Sequence, residues 1–132
     1  MKINLTTGYG LIAVGYVAKH GKGRLVDATE IAKQYDIPIT CLFPVLTALV
    51  RANVLRSKRG PCGGFSLARP AKNITLLEII EALEGPIVKD EPIIEHGRDK
   101  PYVPRVEKMC RKVAEKERAV YARVTLASVL AG

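Results

Sequence analysis

Long apolar runs are missing from this chain, and so is any dense cysteine pattern. No stretch approaches the roughly 18 apolar residues of a membrane-spanning helix, and charged residues make up 26% of the 132. A membrane span is therefore not expected. The opening Met-Lys-Ile-Asn-Leu-Thr-Thr-Gly carries no apolar core and no cleavage site. It does not read as a signal peptide, and a cytoplasmic protein is expected. The three cysteines, Cys41, Cys62 and Cys110, are scattered and odd in number, which argues against a disulfide framework. Internal repeats and low-complexity segments are absent as well. No nucleophile–base pair, no phosphate loop in strand-to-helix context and no metal-ligand spacing can be found, so catalysis is not expected. Gly60-Pro61-Cys62-Gly63-Gly64 imitates a phosphate cradle, but no helix follows it.

What is present is enough apolar residue for a core, 48%, and an excess of positive charge. The length suits one compact domain with at most a short extension. Lys and Arg number 21 against 13 Asp and Glu, a formal net charge of +8. Such an excess favours a polyanionic partner, nucleic acid first among them. Solubility alone also accounts for a basic chain, so charge does not decide the matter.

Periodicity supplies the architecture. Thr7 to Lys19 is dense in apolar residues and reads as a largely buried first helix, ended by Gly21 and Gly23. A second, short helix starts from Asp27 as N-cap, with Glu30 at the capping-box position. Asp36-Ile37-Pro38-Ile39 is a turn, and a third helix runs to about Ala52 with Leu42, Val45, Leu46 and Leu49 as its buried stripe. Two short helices joined by such a turn make a helix-turn-helix. Residues 53–69 alternate apolar and polar at period two around a Gly/Pro turn, the pattern of a β-hairpin. A hairpin in that position is a wing. Ile74–Leu83 forms another helix with Thr75 as N-cap and Glu78 completing the box. Gly85-Pro86 breaks it, and the stretch to about residue 102 is polar and irregular.

From Val103 onward the chain reads as one helix, with Pro104 in its first turn. Val106, Cys110, Val113, Val120 and Val124 form an apolar stripe along it, broken by Glu117. Little of the chain is left to cover that stripe, so a second copy is expected, as is usual for helix-turn-helix proteins reading two half-sites. The expected fold is mainly α with a small β-hairpin: a winged helix-turn-helix over 1–85, a loop over 86–102, and a long C-terminal dimerisation helix over 103–132.

These residues resemble the Rrf2 family of winged helix-turn-helix transcription regulators. The resemblance is carried by Thr7-Gly8-Tyr9-Gly10-Leu11, Glu30-Ile31-Ala32 and Leu49-Val50-Arg51-Ala52-Asn53-Val54-Leu55. It continues through Arg59-Gly60-Pro61-Cys62-Gly63-Gly64-Phe65-Ser66-Leu67-Ala68 and Ile74-Thr75-Leu76-Leu77-Glu78-Ile79-Ile80-Glu81-Ala82-Leu83-Glu84-Gly85. The ordered series covers residues 1–85, and Val124-Thr125-Leu126-Ala127 is similar to the end of the family's dimerisation helix. The resemblance implies a homodimeric repressor or activator of double-stranded DNA. Its wing would reach the minor groove, its third helix the major groove, and the loop before the last helix often acts as the sensor.

Candidate DNA-binding residues follow. Arg59 is the leading one: the matching arginine in the family enters the minor groove, where a narrow A·T stretch attracts a cation. Lys58, Arg56 and Gly60 share its ribbon with Arg69, and Thr7 at the head of the first helix joins the set. Thr40 and Phe43, near the start of the third helix, could touch thymine methyl groups. The alternative is that Ile39 and Phe43 bury against a neighbour. Pro44 lacks an N–H; either the helix starts near Thr40 with Pro44 in its first turn, or it is kinked there.

The best-known branch of the family holds an iron–sulfur cluster on three cysteines and one further ligand in the sensor loop. Between Gly85 and Val106 this chain has no cysteine, so a cluster is not expected. Cys110 reads as a buried structural residue and Cys41 as small packing. Cys62, in the wing turn, is either a redox switch that would interfere with docking in the groove or a tolerated substitution. A ligand- or metal-sensing role for 86–110, using His96, Glu91 and Glu95, stays open. So does a protein-interaction module that has lost DNA reading. The effector is not identified by these residues.

Overall fold

A computed structural model of the chain describes residues 2–132. The element order is α1 (Leu5–His20), α2 (Ala28–Tyr35), α3 (Ile39–Arg51), β1 (Leu55–Lys58), β2 (Gly64–Leu67), a short 3-10 turn (Ala71–Asn73), α4 (Leu76–Glu84), α5 (Tyr102–Arg123) and α6 (Leu126–Ala131). No described helix is long and apolar enough to cross a membrane.

The core gathers where α1, α3 and α4 pack and the hairpin closes over them. Asn4 caps α1 by accepting from the Thr7 N–H at 2.8 Å. The helix then buries Ala13, Val14 and Val17. Asp27 caps α2 by accepting from the Thr29 N–H at 2.8 Å. Glu30 does not close a capping box, as its spacing suggested. It accepts from the Tyr16 hydroxyl at 2.5 Å and pairs with Arg24 at 2.6 Å. The Arg24 guanidinium, followed by the Tyr16 hydroxyl, holds its carboxyl down at about 2. Asp36 ends α2 in the left-handed conformation (φ 54°), which turns the chain so that Ile37 is buried before α3 begins. Leu42, Val45, Leu46 and Leu49 form the inner face of α3.

β1 and β2 pair antiparallel, with Leu55 opposite Leu67 and Lys58 opposite Gly64. Val26 and Phe65 add a further bridge, so the segment before α2 lies along β2. The tip is closed by the Gly63 N–H donating to the Gly60 carbonyl at 2.9 Å. A Cβ on Gly63 would lie 2.1 Å from the Lys58 carbonyl oxygen, so only glycine lets the turn close this tightly. The base of the hairpin is tied to α4. Arg69 donates to the carbonyls of Asn53 (3.3 Å) and Asn73 (2.9 Å) and pairs with Glu78 at 2.8 Å. Thr75 and Glu78 form the expected capping box.

The C-terminal part departs from the expected single helix. α5 stops at Arg123, and Val124 and Thr125 are extended or nearly so before α6 begins. Thr125 bridges Thr75, with the Leu76 N–H donating to Val124 and the Leu126 N–H to Ile74, both at 2.8 Å. Thr125 and Ser128 then form a capping box for α6. Two helices therefore stand where one was read, because pairing with the entrance of α4 outweighs continuing the turn.

Residues 86–101 form no regular element and lie along α5. The Glu107 carboxylate, buried on α5, accepts from the N–H of Ile93 (2.6 Å) and Ile94 (3.3 Å) and from Arg98 (3.1 Å). The Arg98 guanidinium is the chief reason its carboxyl sits below the usual range. One helical turn on, Arg111 donates to the carbonyls of Lys89, Asp90 and Glu91. Two α5 side chains of opposite charge thus satisfy both the N–H and the C=O groups of the segment.

Candidate nucleic-acid interface

The exposed ridge of α3 and the wing face a common cleft. Thr40, Phe43, Thr47 and Arg51 follow one another along the helix at spacings of three and four, and all are exposed. Phe43 keeps 51% of its surface accessible. The cleft, about 480 Å³, is lined by Phe43 and Thr47 on one side and by Lys58, Arg59 and Gly60 on the other. The start of α2, Asp27 and Ala28, closes its end. Thr47 donates its hydroxyl proton to the Phe43 carbonyl at 2.9 Å, which commits its one donor and leaves the side chain its methyl and an oxygen that can only accept.

The hairpin pleat explains the grouping of charge. Arg56 and Lys58 are two residues apart and so share one face of β1, whereas Leu55 is buried. Arg59 follows in the tip. Among the described residues, none of Arg51, Arg56, Lys58 and Arg59 has an ion-pair partner. Their charges are therefore free to meet an anion.

Not every expected residue belongs here. Thr7 is fully buried, and its Oγ1 has no hydrogen-bond partner among the described residues, so its side chain is not presented to a groove. Helical spacing places Thr7 with Gly10, Val14 and Val17 on the inward face of α1, a signal that was readable in the sequence. Arg69 is fastened to the hairpin base and is not part of the free basic ribbon. Pro44 is the sixth residue of α3, past the first turn, and α3 runs through it. The Thr40 carbonyl loses its usual N–H partner there, on the exposed side of the helix. Thr47 and the start of α2 were missed as cleft residues. Thr47 lies one turn beyond Phe43, which could have found it.

The cysteines lie apart in the fold: Cys41 on α3, Cys62 in the wing tip and Cys110 on α5, each exposed. Cys110 was expected to be buried; in the single chain it lies in an apolar groove on α5 with Tyr102, Val106, Met109 and Val113. Among the described residues no three His, Cys, Asp or Glu side chains gather closely enough to hold a metal ion. This applies to Glu91, Glu95 and His96 as well.

A helix-turn-helix closed by a basic β-wing defines a winged helix-turn-helix protein. The chain belongs to the Rrf2 family, whose model, described as "Iron-dependent Transcriptional regulator", matches residues 3–132. The HTH-type transcriptional regulator BadM of Rhodopseudomonas palustris is 44% identical over 84 residues, 64% of this chain and 53% of that protein. The chain thus spans about half the length of such a relative. The structure of CymR, the global cysteine regulator of B. subtilis, superimposes with a TM-score of 0.80 at 26% identity, covering 99% of this chain and 97% of that one. IscR of T. potens gives a TM-score of 0.76 at 26% identity, covering 98% and 86%. The three cysteines stand on separate elements, so within the described residues of one chain they do not fit the clustered thiolate set that an iron–sulfur centre needs.

Proposed function

We infer that this protein is a homodimeric DNA-binding transcription regulator, with Arg59 in the minor groove, Lys58 and Arg56 on the flanking phosphates, and α3 in the major groove. The observation that carries the reading is the shared cleft: an exposed ridge of α3 and unpaired wing cations open to the same side. Phosphate contacts of that kind position a protein, and a cation in a narrow minor groove adds preference for A·T pairs. Gly60, at φ 113°, lets the wing backbone pass close to the groove wall. Two copies would place two wings and two α3 helices on a near-palindromic site. The α5 groove, about 540 Å³ and almost wholly apolar, supports a second copy as its cover. The protein would act in the cytoplasm.

The test is selection from fragmented genomic DNA at several salt concentrations, with Arg59→Ala alongside. Enrichment of a few near-palindromic fragments, lost in the variant, is the expected result. A folded, dimeric protein that binds nothing at low salt would overturn the reading and leave an interaction module.

A second reading, effector sensing by residues 86–101, is favoured by a cavity of about 410 Å³ between that segment and α5, lined by Ile87, Lys89, Pro92, Ile93 and Arg111. An effector there would change operator affinity in the wild type and leave Arg111→Ala unresponsive.

A further inference from the structure

Resting on the DNA-binding reading above, we propose that α3 reads its operator through the 5-methyl groups of thymine, with Phe43 and the methyl ends of Thr40 and Thr47 as the reading groups. The helix a DNA reader places in the major groove normally carries amide, guanidinium or carboxylate side chains, which form paired hydrogen bonds with base edges. From Ile39 to Val50 this α3 has none; Arg51, at its last residue, is the first charged side chain. Ahead of Arg51, the polar side chains on the exposed ridge are two threonines, and one of these, Thr47, already donates to the Phe43 carbonyl. Asp27, the carboxylate at the end of the cleft, is held as the cap of α2 by the Thr29 N–H and hydroxyl, both at 2.8 Å on its Oδ1. The exposed side chains of the first turns of α3 are therefore Thr40, Cys41, Phe43 and Pro44, with Thr47 a turn beyond Phe43, and none of them carries an amide, a guanidinium or a carboxylate.

The apolar groups of this surface match one group on a standard base edge in the major groove, the thymine methyl. Phe43 is positioned for this role. Its ring is half-exposed, beside Thr47 and across the cleft from Lys58 and Arg59, so a duplex drawn in by the wing would cover it. Covering an exposed ring and a base methyl together removes apolar surface from water, which a hydrogen-bonding edge cannot match. The same operator would be A·T-rich under the wing, for the independent reason of minor-groove width. Specificity in α3 is thus apolar, and it discriminates by a single carbon.

The experiment uses a fragment enriched in the genomic selection, prepared with thymidine or with deoxyuridine at the positions facing α3. Uracil keeps every hydrogen-bonding group of thymine and lacks only the methyl. Wild-type affinity is expected to fall roughly fourfold for each thymine methyl removed, the worth of about one buried carbon. Phe43→Ala is run on both fragments as a double-mutant cycle, which removes any general effect of uracil on duplex shape. In that variant the thymine–uracil difference shrinks, while helicity by circular dichroism is retained because the ring is half-exposed. Equal wild-type affinity for both fragments, with selectivity among genomic fragments intact, would overturn methyl reading and leave the DNA-binding reading standing. An equal drop in affinity on uracil DNA for wild type and Phe43→Ala would also overturn it. Failure to bind any fragment at low salt would overturn both and turn the α3 ridge into a protein-binding surface.

Discussion

α1 and α5 treat their side chains in opposite ways. α1 has 16 residues and buries seven, so it lies inside its own domain. α5 has 22 residues and buries two, Glu107 and Tyr121, of which the first holds the neighbouring segment and the second packs on α4. Tyr102, Met109, Val113 and Val120 all remain more than half exposed along α5. The winged helix closes its core within one chain, with Leu126 of α6 contributing to it. α5 carries an apolar surface that one chain does not cover. Exposed apolar patches of this kind mark association sites, and the commonest way to cover one is twofold pairing of identical copies.

That contrast can be broken from either side. The largest effect is expected in the core. Leu46 is fully buried, and Leu46→Ala should lower stability by about 2–5 kcal/mol, measured by denaturant unfolding. Met109→Ala, at a half-exposed site, should change the stability of the dissociated chain by less than about 0.5 kcal/mol in the same assay. Next comes association. Val113→Asp places a charge in the apolar groove of α5, and sedimentation should then show half the mass with helicity retained. An unchanged dimer would move the interface elsewhere.

A smaller effect is expected where the wing meets the body. Arg69→Ala removes two hydrogen bonds to carbonyls and one ion pair, with an expected cost of about 1–2 kcal/mol. Amide exchange should quicken in β1 and β2 while α5 keeps its protection. The smallest effect is electrostatic. Glu30 titrates at about 2 in the folded chain, below the ordinary carboxylate value, because Arg24 and Tyr16 favour its charged form. Its contribution is therefore fully present above the unfolded value, near 4.3. It is lost as pH falls through about 2. The stability difference between wild type and Glu30→Gln should shrink steadily from pH 5 to pH 2. A constant difference would show that Arg24 and Tyr16 do not hold the charge.

The winged helix was legible because its signals are local. Asp27 and Thr75 stand before apolar periodic runs and cap them, and the Gly-Pro-Cys-Gly-Gly turn separates two alternating stretches. What escaped the sequence depends on partners distant along the chain. Glu30 has the spacing of a capping box, yet its partners are Arg24 and Tyr16, and Tyr16 lies 14 residues away. Arg69 looks like one more cation on a basic ribbon until its carbonyl partners at Asn53 and Asn73 are seen. The break at Val124 and Thr125 arises from pairing with Ile74 to Leu76, 50 residues earlier. There the sequence did hold a clue, since Thr125 and Ser128 have capping-box spacing. Of the candidate site, the wing cations and Phe43 were readable, whereas the burial of Thr7 follows from the inward face of α1. The exposure of Cys110 has a different cause. Periodicity identifies an apolar stripe but not whether one chain or two cover it.

The most direct test of the central claim is the salt dependence of binding to one selected fragment, for wild type and Arg59→Ala. Bound cations release counterions from the duplex, so the logarithm of the binding constant falls linearly with the logarithm of salt. If Arg59 engages the duplex from the wing, the variant binds more weakly and the slope becomes shallower by about one. The same slope and affinity for both proteins would contradict a wing that carries the DNA contact.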